Sequence, residues 1–132
     1  MPSIFSKIVS GEIPAYKVGE TDDFLAFLDV NPLVKGHVLV IPKMEVDYIF
    51  DLDDDLYLGL QSFAKKVAVG IKKAIPCLRV GVAVIGLEVP HAHIHLVPMK
   101  GMDDLNFSRP KLKLTANEFE QVAAAISKEL TN

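Results

Sequence analysis

The chain has one cysteine, Cys77, so an intramolecular disulfide and a thiolate cluster for a metal are both excluded. No His or Lys adjoins it, and it reads as a small buried hydrophobe rather than a reactive thiol. Tryptophan is absent. Positive charge is not in excess: 14 Lys and Arg face 17 Asp and Glu, a formal net charge of −3, which leaves no basic stripe for duplex nucleic acid. No apolar run approaches the ~20 residues that cross a bilayer, and Met1 to Lys7 lacks the charged-then-apolar order of a secretory leader. These absences predict a cytoplasmic protein that takes neither a membrane nor a nucleic acid as partner. Repeats, low-complexity tracts and linkers are missing too, so the 132 residues read as a single domain, 1–132, built on one core.

What is present is patterned. Asp51, Asp53, Asp54 and Asp55 crowd one point, as negative charge does at the positive end of a helix dipole. Leu56, Leu60, Phe63, Val67, Ile71 and Ala74 follow at spacings of three and four, and Pro76 closes the stretch. The spacing predicts a long helix over 52–75 with one apolar stripe against a sheet. Thr115 and Glu118 have capping-box spacing, and Phe119, Val122, Ile126 and Leu130 supply the stripe of a C-terminal helix. Both the acidic cluster and the box read as structural devices. Ile4, Phe5 and Ile8 make a short N-terminal helical turn. Short β-branched or aromatic runs at 15–19, 24–28, 38–41, 80–85 and 91–97 are set apart by Gly, Pro, Asn or Asp and predict five strands. Five strands with few helices between them make an antiparallel sheet and an α+β class, with 99–113 irregular and polar.

Three of the four histidines stand at alternate positions, His91, His93 and His95. In an extended chain these share one face, while Ala92, Ile94 and Leu96 share the other. Each buried imidazole must satisfy two nitrogens and is penalised when charged, so three in register point to function. Two chemistries want imidazoles this close. One is a metal site in which alternate His supply nitrogen ligands and Glu88 completes the set. The other is nucleophilic catalysis at phosphorus, where a neutral imidazole attacks through one nitrogen while a neighbour holds the proton on the other. With a reference pKa of ~6.5, an imidazole is largely neutral at cytoplasmic pH.

Upstream, Asp29, Pro32, Gly36, His37, Leu39, Val40, Ile41, Pro42 and Lys43 fit the pattern Asp-X-X-Pro-X-X-X-Gly-His-X-Leu-Val-Ile-Pro-Lys, about fifty residues before the His row. With Ile4-Phe5 and Gly11 to Ala15, the sequence over about residues 3 to 98 resembles the histidine triad, or HIT, superfamily, in its bacterial Hint-like branch. The resemblance implies the HIT fold, a five-stranded antiparallel sheet with a long central helix, a short N-terminal helix and a C-terminal helix. It also implies a homodimer whose central helices and sheets join. The implied activity is hydrolysis or nucleotidyl transfer at the α-phosphorus of a purine nucleoside 5′-phosphoramidate or related conjugate, a small-molecule nucleotide substrate. By the same resemblance, His93 would be the nucleophile and form a covalent nucleotidyl-histidine. His95 and His37 would hydrogen-bond within the site, and His91 would order the row. Ile4, Phe5, Ile8, Phe27 and Val30 would line a slot for the base, Asp29 would accept from the ribose hydroxyls, and backbone amides around Val89 would bind phosphate oxygens. From residues alone the apolar members read equally as core, and Asp29 before Asn31-Pro32 equally as turn chemistry.

The chain departs from the family in places. Many bacterial members bind a structural zinc through Cys-X-X-Cys near the N-terminus, a His just after the Pro-Lys and a triad His; here Ser3, Ser6 and Glu45 stand at the three replaceable positions. Hydroxyls are poor zinc ligands, so neither a metal nor a cofactor is expected. Before the triad, Gly86-Leu87-Glu88 replaces the Gly-Gln-Ser or Gly-Gln-Thr of the phosphoramidase branch, and a carboxylate there repels phosphate unless turned away or protonated. An Asn usual on the preceding strand is missing from Arg79 to Val82. The alternative to an enzyme is therefore a nucleotide-binding or sensing module without turnover.

Overall fold

Residues 2–130 are described by the computed structural model, and the apolar runs fall where pleated pairing needs them. β1 (Lys17–Glu20), β2 (Phe24–Leu28) and β3 (Val38–Pro42) pair antiparallel with their chain neighbours. The β1–β2 turn is tied by Thr21 Oγ1, which accepts from the Phe24 N–H at 3.1 Å. β4 (Arg79–Ala83) and β5 (Ile94–Met99) complete an all-antiparallel sheet in the order β1-β2-β3-β5-β4. The fold class is α+β, as expected.

Alternation sorts the strand residues between two layers. Phe24, Ala26, Leu28, Val38, Val40, Ile94 and Leu96 pack against α2 (Asp54–Ala74) and α3 (Ala116–Leu130). Leu25, Phe27, Leu39 and Ile41 face the other way, onto Phe5 and Ile8 of α1 (Ile4–Val9). Helix α2 starts where Asp53 Oδ1 accepts from the Leu56 N–H at 2.8 Å, and it buries Leu60, Phe63, Val67 and Ile71. In α3 the capping box is closed on both sides: Thr115 N–H donates to Glu118 Oε1 at 3.0 Å and Glu118 N–H to Thr115 Oγ1 at 3.1 Å. A cap contributes about 1 kcal/mol and each fully buried stripe residue about 2–3, so packing on the sheet dominates.

The element ends shift from the sequence expectation for local reasons. β1 begins at Lys17 and carries an irregularity between Lys17 and Gly19. β4 ends at Ala83, releasing a loop in which Gly86 takes φ +76°. β5 begins only at Ile94, so His91 and His93 are not strand residues, contrary to the alternating pattern. There His91 N–H donates to the Val89 carbonyl and Ala92 N–H to the Val46 carbonyl, at 2.8 and 2.7 Å. Pro42, at the end of β3, has no N–H to offer a longer ladder. Cys77 is half-buried rather than fully enclosed. Among the described residues no helix is long and apolar enough to cross a membrane.

Candidate functional site

With Ile94 and Leu96 in the α2–α3 core, His95 points to the opposite face of β5. A cavity of about 470 Å³ opens there, with His37, His93 and His95 in its wall. Phe5, Ile8 and Phe27 form an apolar side that is at once pocket and buried cluster. Ile4 and Val30 lie at the exposed rim, and Asp29, Glu88 and Val89 complete the predicted set. Of the sequence-predicted site residues, His91 alone stays out of the wall; it is wholly buried behind it.

Hydrogen-bond partners fix where each neutral ring carries its proton. Leu33 N–H donates to His37 Nδ1 at 3.0 Å, so the His37 proton is on Nε2, which donates to His95 Nδ1 at 2.9 Å. His95 therefore keeps its proton on Nε2. The His91 carbonyl accepts from His93 Nδ1 at 2.7 Å, which leaves the lone pair of His93 on Nε2. The His93 and His95 ring centroids are 5.0 Å apart, and Phe5 packs edge-on against His93 at 5.1 Å. One cavity thus holds a nucleophilic nitrogen beside an N–H donor. Such a pair can attack an electrophilic phosphorus and stabilise charge on its oxygens.

Burial favours the neutral form of His37, His91 and His95. It drives His37 down to about 3, with help from neighbouring His95, and it drives His95 down to about 4, with help from His93. Burial also lowers His91, against the raising effects of the Pro42 carbonyl and Glu45. The Asp29 carboxyl is pushed up, because burial outweighs the Asn31 N–H and the nearby His93. Asp29 Oδ1 accepts from Asn31 N–H at 2.9 Å, the expected turn chemistry, while Oδ2 stands 3.7 Å from His37 Nε2. With His37 uncharged, that contact is not an ion pair.

Among the described residues two groups of side chains invite a metal, and neither fits one. Asp29, His37 and His95 bring ligand atoms within 4.8 Å of one another. Because Leu33 N–H occupies Nδ1 of His37, a metal on Nε2 would require an imidazolate. Ser3, Ser6, Glu45 and His91 also converge, at the place where the family's zinc is implied. Ser3 Oγ donates to His91 Nδ1 at 2.8 Å and Ser6 Oγ to Glu45 Oε1 at 2.7 Å. These hydroxyls keep their protons and occupy the acceptors that zinc would need.

A family profile for the HIT domain matches residues 10–102. The chain belongs to the HIT family. An uncharacterized HIT-like protein of Borreliella burgdorferi is 36% identical over 132 residues, covering 94% of this chain and 95% of its own. A Schizosaccharomyces pombe protein named adenosine 5′-monophosphoramidase is 33% identical over 132 residues, covering 98% and 99%. The crystal structure of a Hit-like protein from Bartonella henselae matches with a TM-score of 0.84 at 29% identity, over 96% of this chain and 95% of that one.

In this HIT protein two wall residues fall in the stretch 99–113 that the sequence leaves as an irregular run, Phe107 and Lys111. The Phe107 ring meets His95 at 4.8 Å and His37 at 6.5 Å, and Lys111 Nζ donates to the Phe107 carbonyl at 2.6 Å. The segment is pinned by Leu112 N–H on the Pro32 carbonyl at 2.9 Å and by Arg109 on Asp104 at 3.0 Å. No periodicity marks it; a lone aromatic in a polar run is its only signal.

Proposed function

We propose that this HIT protein hydrolyses purine nucleoside 5′-phosphoramidates and related nucleotide conjugates, or transfers their nucleotidyl group, by attack at the α-phosphorus. The carrying observation is the proton order of the cavity, with His93 bonded through Nδ1 to the His91 carbonyl and its Nε2 lone pair free beside His95. His93 Nε2 attacks phosphorus, the P–N bond breaks, and the nitrogen leaves as an amine with a proton drawn from the site. Water then attacks the same phosphorus, the P–Nε2 bond breaks, and the proton that water loses replaces the one the amine took. His95 donates to a phosphoryl oxygen, His37 holds His95 in its donating tautomer, and amides around Val89 bind a second oxygen. His91 orders His93. Ile4, Phe5, Ile8, Phe27 and Val30 hold the base, and Asp29 accepts from the ribose. The name of the S. pombe relative supports the substrate class.

The reading includes a cytoplasmic homodimer that needs no cofactor. Supporting the dimer, β4 is an edge strand and its Val82 is 58% exposed, a surface suited to pairing with a second copy. The test of the chemistry is incubation with adenosine 5′-phosphoramidate followed by mass spectrometry of the intact protein. A nucleotidyl adduct is expected on His93, and His93→Ala should lower kcat about a thousandfold or more. Undiminished turnover in that variant would refute the assignment. Tight nucleotide binding with no turnover of any conjugate would favour the sensing module, a reading that gains some support from two carboxylates, Asp29 and Glu88, in the cavity wall.

A further inference from the structure

The hydrogen bonds around Ser3 form a directed chain that ends at the His93 ring. Glu45 Oε1 accepts twice, from the Ser3 N–H at 2.6 Å and the Ser6 hydroxyl at 2.7 Å. Two donors hold the Glu45 carboxyl down to about 2, the Ser3 N–H first and the Ser6 hydroxyl second. Ser3 Oγ accepts from the Ser6 N–H at 3.0 Å, capping α1, which turns its own hydrogen toward His91 Nδ1 at 2.8 Å. The Pro42 carbonyl has no hydrogen, so His91 Nε2 donates to it at 2.8 Å. Every donor and acceptor direction is then assigned, and His91 is confined to the tautomer with its proton on Nε2. Its backbone carbonyl, fixed with the ring, accepts from His93 Nδ1 at 2.7 Å. Phe5, on the helix that Ser3 caps, packs against both rings, with centroids 5.8 Å from His91 and 5.1 Å from His93.

We propose that Ser3, Ser6 and Glu45 are positioning residues, a metal-free clamp that replaces the family's zinc in holding His91 and, through its carbonyl, sets the tautomer of His93. The catalytic part of this proposal rests on His93 being the nucleophile. A buried ring with one fixed donor and one fixed acceptor can adopt one tautomer without leaving a polar group unpaired. Removing the Ser3 hydroxyl deletes the donor to Nδ1. Removing the Glu45 carboxylate, at the exposed end of the chain, frees Ser3 and Ser6 to reorient.

The experiment is nitrogen-15 NMR of histidine-labelled protein, paired with turnover of adenosine 5′-phosphoramidate, on the wild type, Ser3→Ala, Glu45→Ala and the conservative Ser3→Thr and Glu45→Gln. The wild type should show protonated Nε2 for His91 and protonated Nδ1 for His93. In Ser3→Ala and Glu45→Ala the His91 Nδ1 signal should shift as its donor is lost or displaced, while the Pro42 carbonyl keeps the proton on Nε2, with kcat falling about tenfold, the scale for groups that orient a reacting ligand. Ser3→Thr and Glu45→Gln should restore both readouts in large part. Unchanged ring signals in both alanine variants would overturn the clamp, as would a loss of activity confined to KM. Glu45→Ala keeps the test open if Ser3→Ala misfolds, because Glu45 is a surface residue. A wild type that turns over no phosphoramidate defeats the proposed function, whereas the ring signals still decide the clamp.

Discussion

Acidification from pH 7 to pH 5 should destabilise the fold through two buried rings. His37 and His95 are 1% and 8% exposed, and burial holds them down to about 3 and about 4, against ~6.5 in an unfolded chain. Below pH ~6.5 the unfolded state binds protons that the folded state refuses, so stability rises with pH in that window. Each ring costs nothing above the window and about 1.4 kcal/mol per pH unit inside it, until its folded pKa is reached. By pH 5 the loss is about 2 kcal/mol per ring and about 4 for the pair, a large share of the ~5–15 kcal/mol of a typical domain. Asp29 works in the opposite direction: its raised carboxyl takes a proton earlier in the folded state and trims the slope at the acid end. Urea denaturation at pH 7, 6 and 5 reads the effect directly. His37 and His95 should bring the slope to about two protons per molecule at pH 5, the lowered His91 adds in the same direction, and His95→Asn should remove about one proton. Stability flat across this range would refute the neutral rings, and with them the proton order on which the proposed chemistry depends.

Three further outcomes can be checked. Gly36→Ala should cost about 1–3 kcal/mol in urea denaturation, because φ is +96° and an added Cβ would lie 3.1 Å from Ile75 Cγ1 and 3.2 Å from Pro98 Cγ; an unchanged midpoint would contradict this. Glu88 in the cavity wall should make conjugates with cationic leaving groups better substrates than anionic ones, and Glu88→Gln should narrow that preference in kcat/KM about severalfold. Equal rates for both charges in the wild type would remove Glu88 from leaving-group selection. Sedimentation at micromolar concentration should give a dimer, which Val82→Lys on the exposed face of β4 shifts toward monomer; a monomeric wild type would count against the paired sheets.

Local signals in the sequence carried furthest. The Asp53 cap, the Thr115–Glu118 box and the α2 stripe are set by neighbours within four residues, so spacing alone finds them. The His row is legible as a constellation because alternation is also local, yet its conformation is not. Whether β5 begins at His91 or Ile94 depends on Pro42 and Val46, which lie more than forty residues away and take up the groups a longer ladder would use. The same distance hides the division of labour among the rings: His91 is drawn behind the wall by Ser3 and Pro42, while His93 and His95 stay in it. Phe107 and Lys111 were invisible, since their segment is held by Arg109 and the Leu112–Pro32 bond rather than by any repeating pattern. The apolar wall residues could not be sorted into core or pocket because Phe5, Ile8 and Phe27 are both.

The imidazoles lie inside the span 10–102 shared across the family, whereas Ile4, Phe5, Ile8, Phe107 and Lys111 lie outside it. Part of the cavity wall is thereby carried by chain that flanks the stretch holding the imidazoles, while Phe27, Asp29 and Glu88 share that stretch with them. Descent can reshape that flanking part of the wall without moving a single imidazole, so two chains alike over 10–102 can still present cavities of different outline.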